Sequence, residues 1–155
     1  MQTDVYLQKA LVEKVKEILK GYTSLNNGEY LEFNVYPQNL PAKKGKNDNE
    51  HFPYVLVCLD EEEIASIDGD EICSIYFLVG IKDENPNRQG HFDVAEVLNR
   101  IVNHFLQYPL VDSRYRIGFP IRKKFQEEDT WPKFIGGAET LWTVDKPEVR
   151  ETEYD

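Results

Sequence analysis

Apolar residues along this chain fall into helical stripes and strand-like runs, separated by polar stretches. Over residues 90–106 the apolar positions recur every three or four residues. Val94, Val97, Leu98, Ile101, Val102 and Phe105 form one stripe, with Leu106 at its flank. That period predicts an amphipathic helix. Gly90 opens it, Asp93 sets a carboxylate near its positive end, and Pro109 forbids its continuation. A second stripe of Leu11, Val12, Val15, Ile18, Leu19 and Tyr22 predicts a helix over about 4–19. Glu13, Lys14, Lys16, Glu17 and Lys20 take its other face. Thr3 or Asp4 is placed to cap this helix and Gly21 to end it.

The strand signals differ in kind. After SLNNGE breaks the chain, 30–36 alternates: Leu31, Phe33 and Val35 lie on one side, Glu32 and Asn34 on the other. This predicts one half-buried strand. Residues 52–59 and 72–81 are near-continuously apolar and rich in β-branched and aromatic side chains, so both faces of these strands are expected to be covered at least in part. Between them DEEEIASIDGDE carries the tight-turn pair Asp68-Gly69, which predicts a long antiparallel hairpin with an acidic tip reaching beyond the body. Two further strands are expected over 114–125 and 134–144. Pro120 marks the first as an edge or bulged strand, and Gly136-Gly137 marks a bulge or a close backbone approach in the second.

Segment 37–51, PQNLPAKKGKNDNEH, has no periodicity. So long a loop is uncommon inside a compact domain, and we expect a solvated loop or a contact loop in an assembly. Neither helix is stable alone, because its apolar stripe needs a facing surface. Both are therefore expected on one sheet, in a single domain over 1–147 followed by a flexible acidic tail over 148–155.

Composition narrows the partners. With 18 basic and 28 acidic residues the net charge is -10, which disfavours tight binding to a phosphate backbone but not the passage of DNA nearby. No apolar run is long enough for a membrane helix and the start lacks a signal-peptide pattern, so an intracellular protein is expected. Cys58 and Cys73 match no zinc or redox spacing and read as small buried hydrophobes.

Candidate chemistry is sparse. His51, His91 and His104 lack a ligating spacing, and the acidic run fails the calcium-loop template. There is no GxSxG, no phosphate-cradling GxxxxGK(S/T) and no dinucleotide fingerprint. The reading is a chain with no catalytic, cofactor-binding or metal site. An exposed Trp131-Pro132-Lys133-Phe134 turn would instead suit protein contact, with Trp131 and Phe134 as anchors.

Three blocks carry a resemblance: Phe52-Pro53-Tyr54-Val55-Leu56-Val57; Gln89-Gly90-His91-Phe92-Asp93-Val94 at a helix start; and Trp131-Pro132-Lys133-Phe134-Ile135-Gly136 followed by Glu139-Thr140-Leu141-Trp142. In this order, over roughly 52–147, the chain resembles the tail terminator (tail completion) proteins of long-tailed phages and prophages. Lys133 departs from the pattern, since the resemblance implies a further aromatic there. The implied fold is α+β, a mixed and mainly antiparallel sheet of four to five strands with two helices packed on it. The implied function is structural and not enzymatic: a homo-oligomeric ring, expected to be a hexamer, in the virion tail or neck, assembled in the host bacterial cytoplasm. It caps the tail tube protein and meets the head connector protein.

A ring of so acidic a subunit needs contacts that offset repulsion, and an acidic lining would let DNA pass without adhering. Lys43, Lys44 and Lys46, or Arg122, Lys123 and Lys124, are the expected cations; Glu61, Glu62, Glu63 and Asp70 of a neighbour's hairpin are the expected anions. The competing readings are another head–tail connector or neck protein, a small ligand-binding or enzymatic α+β domain, and a regulatory module that binds protein through its acidic hairpin.

Overall fold

A computed structural model describes residues 3–26, 29–42, 45, 51–67, 69–87 and 89–144. Helix α1 (Thr3–Ile18) buries Leu7, Leu11, Val12 and Val15, one face of a 3.6-residue period. It ends as the sequence indicates: Gly21 takes φ 77°, a left-handed conformation that only glycine adopts cheaply. Helix α2 (Gly90–Gln107) buries Val94, Val97, Leu98, Ile101, Val102 and Phe105, while Leu106 at the flank is exposed. Arg100 of α2 lies 4.2 Å over the ring of Tyr22, which stacks on Phe33 at 5.8 Å, so the end of α1 is tied to its neighbours.

The sheet count corrects the sequence reading. In place of four to five strands, the described residues form a six-stranded mixed sheet and a separate two-stranded one. β1 (Thr23–Asn26) and β2 (Glu29–Glu32) form the small antiparallel pair. β3 (Asn34–Pro37) runs parallel to β4 (Tyr54–Ile64), so the single strand expected over 30–36 is divided at Phe33. β4 pairs with β5 (Glu71–Lys82), β5 with β8 (Lys133–Val144), and β8 with β7 (Tyr115–Phe125), all antiparallel. The two-residue β6 (Leu110–Val111) lies outside β7, giving the order β3-β4-β5-β8-β7-β6. The parallel pair explains the long segment 38–53: parallel neighbours cannot be joined by a tight turn and need a crossover of a dozen or more residues.

One face of the large sheet is closed by the helices. Cys73, Ile75, Phe77, Val79 and Ile81 of β5 are fully buried there, with Ala138, Trp142 and Val144 of β8. Phe105 stacks on Phe77 at 6.0 Å between ring centroids and meets Trp142 edge-on at 5.1 Å. The indole of Trp142 donates to Thr140 Oγ1 at 2.9 Å, and that hydroxyl donates to the Ile75 carbonyl at 2.8 Å, so both buried side chains find partners. Gly136 is a place of close approach, since a Cβ there would stand 2.7 Å from Val94 Cγ1 of α2. The ladder runs through Gly136-Gly137 without a register shift, which decides between the two sequence readings in favour of approach over bulge.

The other face is covered only in part. Phe52, Tyr54 and Leu56 form a small second cluster with the half-buried Tyr36, Cys58 and Leu78. Lys133, where the resemblance implies an aromatic, sets its ammonium 5.8 Å over the Phe52 ring. The two cysteines are free and are not register partners: Cys58 lies opposite Tyr76 on the outer face, and Cys73 lies on the helix face.

Truncating Phe105 to Ala should cost about 3–5 kcal/mol in denaturant unfolding, because it empties the contact with Phe77 and Trp142. Leu106→Ala, on the exposed flank, should change stability by no more than about 0.5 kcal/mol. Equal losses at both positions would contradict this packing.

Candidate functional site

The acidic run is not a tip. Asp60, Glu61, Glu62 and Glu63 lie within β4, and the hairpin turns only after Ile64, with the Asp70 backbone just before β5. The apolar run ends at Leu59, but the strand continues past it, which is why composition alone puts these acids beyond the strands. A register shift between Leu59 and Glu62 is the physical device that redistributes them. Leu59 is opposite Ile75 and Glu62 is opposite Cys73, both on the helix face, so Asp60 and Glu61 together stand against Ser74 and form the bulge. Glu63 then falls opposite Ile72 and faces outward.

Glu62 is thereby brought to the first turn of α1, where its carboxyl shares a hydrogen bond with that of Asp4. Two carboxylates at this distance cannot both be charged cheaply. The bond to Asp4 first, then burial and the bond to Glu71, hold the Glu62 carboxyl up at about 7, while the same bond lowers Asp4. Burial first, then the carboxylates of Glu62, Glu71 and Asp4, push the Cys73 thiol up to about 12.

The basic cluster is divided by a second bulge. Between Gly118 and Arg122 the β7–β8 register shifts, leaving Phe119 73% exposed. Beyond it Arg122 lies opposite Glu139 and Lys124 opposite Gly137, both outward positions. Lys123 points the other way and hydrogen-bonds Asn99 of α2. Arg122 and Lys124 thus border the outer face on a strand that, past Arg116, has no further strand beyond it among the described residues.

Of the aromatic pair, Trp131 is exposed, with its Nε1 donating to the Asn85 carbonyl at 3.4 Å. Phe134 is buried against Gly90, where a Cβ would come within 2.4 Å of its ring. It belongs to the core, which corrects its expected place as a surface anchor. Lys43, Lys44 and Lys46 lie outside the described residues.

Two clefts of about 370 Å³ flank α1, one lined by Lys16, Lys20, Glu32 and Phe33, the other by Lys9, Glu13, Asp112 and Arg114. Beside these groups the first is lined by Leu19, Val35 and Tyr36 and the second by Tyr6, Ala10 and Tyr115, an arrangement without a nucleophile and an oriented base. The histidines do not converge: His91 and His104 stand near opposite ends of α2, the first exposed and the second half-buried, while His51 packs on Tyr36 at 5.7 Å. Burial is the main cause lowering the His104 pKa, followed by Lys14.

No family model and no curated protein sequence matches the chain.

The Asp4–Glu62 pair gives stability a direction with pH. Glu62 binds its proton more tightly folded than unfolded, so its contribution is present below about 4.5 and is lost as pH rises through about 7. The Asp4 contribution is lost only on acidification, below this window. In metal-free buffer, the Tm of the native chain should therefore fall relative to that of Glu62→Gln between about pH 5 and pH 8. Solvent and salt will screen this effect because Glu62 is exposed. Parallel Tm curves for the two proteins would contradict the shared proton.

Proposed function

We propose that this chain is a structural subunit of a phage or prophage tail, closing the tail tube as a homo-oligomeric ring at the head–tail junction. One observation carries the reading beyond the sequence resemblance. Beyond the cross-strand neighbours Arg122 and Glu139, the outward cations of β7 and the outward acids of the hairpin end sit on one sheet too far apart to neutralise each other within a subunit. Arg122 lies opposite Glu139, Glu139 is opposite Tyr76, and β5 then runs on to Ile72, opposite the outward Glu63 at the acidic end. At ~3.3 Å per residue and ~4.8 Å per strand, Arg122 and the hairpin end are roughly 20 Å apart. They can meet only between copies.

A contact joining two different patches is head-to-tail, and such contacts close into rings when the rotation per subunit allows. The half-covered outer face, with Cys58, Leu78, Ile135 and Leu141, supplies apolar area beside the charges. With a net charge of -10 on every copy, local pairing of this kind is needed to hold the copies together. The acids left over favour an interior that DNA slides past. Six copies, the tail tube protein on one side and the head connector protein on the other are the partners this reading takes from the family resemblance.

Native mass spectrometry with and without purified tail tubes should show a closed oligomer whose stability falls as salt rises. Arg122→Glu with Lys124→Glu should weaken assembly by at least about tenfold, and adding Glu61→Lys with Glu63→Lys should restore part of it. A protein that stays monomeric with and without tubes at every salt concentration would overturn the ring.

A further inference from the structure

The part of the β4–β5 hairpin that faces α1 holds a cluster the contact reading does not use. The bulge sets Glu62 opposite Cys73, and Glu71, two residues before Cys73 on β5, shares its face by strand alternation. The carboxylate oxygens of Glu62 and Glu71 and the sulfur of Cys73 all lie within 4.8 Å of one another. Asp4, bonded to Glu62, comes from the first turn of α1.

Cys73 separates this cluster from an ordinary solvated acidic patch. Its side chain is fully buried and its thiol is free. The sulfur nevertheless has two carboxylates for neighbours where the rest of its strand face has only hydrocarbon. As a mere core filler, a cysteine gains nothing from acids at this distance. As a ligand it supplies the buried, soft end of a donor set whose hard, adjustable end is two glutamates reaching in from the surface.

The geometry points to a site for a single thiophilic divalent cation of the zinc type, held by Cys73 Sγ and the carboxylates of Glu62 and Glu71, with Asp4 of α1 positioning Glu62. Three or four donors of mixed sulfur and oxygen suit tetrahedral zinc, whereas calcium and magnesium prefer oxygen alone. Around a tetrahedral ion with Zn–O of ~2.1 Å and Zn–S of ~2.3 Å, donor atoms stand roughly 3.4–3.6 Å apart. Glu62 is exposed and Glu71 half-exposed, so both side chains have room to turn toward an ion. The positive end of α1 opposes a cation here, and the Asp4 carboxylate offsets it. A bound ion would staple β4 to β5 at the hairpin end and stabilise the fold by mass action.

The test is titration of the EDTA-treated, dialysed full chain with Cd²⁺ followed in the ultraviolet, and with Zn²⁺ followed by Tm. The expected result is a thiolate-to-cadmium charge-transfer band saturating at one equivalent, and a Tm that climbs with Zn²⁺ concentration. Glu71→Gln should lower affinity by more than the roughly 10–100-fold that loss of an outer-shell partner costs. Cys73→Ser should abolish the band, and Cys58→Ser should leave it intact. Because a change at buried Cys73 can itself unfold the chain, Glu71→Gln, checked for native circular dichroism, tests the same ligand set in a folded protein. No band in the native protein, a band lost with Cys58 instead, unchanged affinity in folded Glu71→Gln, or an equal Tm rise with Ca²⁺ would each overturn the site.

Discussion

Every inward position of β5 from Cys73 to Ile81 is apolar, and a strip of that length must be kept from water along its whole run. The two helices do this, and much else follows. Because α2 lies over β5 and β8, its stripe must be wide, and its start must come close enough that Gly90 and Gly136 tolerate no side chain. Because Phe105 fills the space between Phe77 and Trp142, the helix cannot slide along the sheet without opening a void. With one face closed this completely, the outer face, the β7 edge and the hairpin end are the parts of the large sheet left accessible.

Both helices are legible in the sequence because a 3.6-residue stripe is visible without knowing what covers it. The β4–β5 hairpin is legible for a similar reason, as two apolar runs about a turn signal. The division of 29–37 is not. Leu31, Phe33 and Val35 alternate identically whether they belong to one strand or two, and alternation says nothing about which partner a strand takes. Asn27-Gly28 is the available signal for the small antiparallel pair, a dipeptide suited to a two-residue turn. The parallel pairing of β3 has only an indirect trace, the length of the segment that follows it.

The candidate site is legible in composition and illegible in direction. The acidic and basic runs stand out in the sequence, but DEEE and RKK carry no internal pattern to say which member faces where. Two bulges decide it: one turns Glu62 inward to Asp4 and Cys73, and after the other Lys123 reaches Asn99 while its neighbours face outward. A bulge is a local backbone event that side-chain periodicity cannot register. Phe134 is misplaced for a related reason: in Trp-Pro-Lys-Phe nothing marks inside from outside until α2 is laid over the strand.

The central claim is that the helix side of this subunit is closed for good and that assembly uses the outer face and its two charged borders. Hydrogen–deuterium exchange of the isolated and the assembled protein addresses it most directly. The account predicts new protection on assembly in β7 from Gly118 to Phe125 and in the outer half of β4 from Asp60 to Ile64, with α2 slow and unchanged in both states. Protection gained instead on α1 and α2, with β7 still exchanging freely, would contradict it.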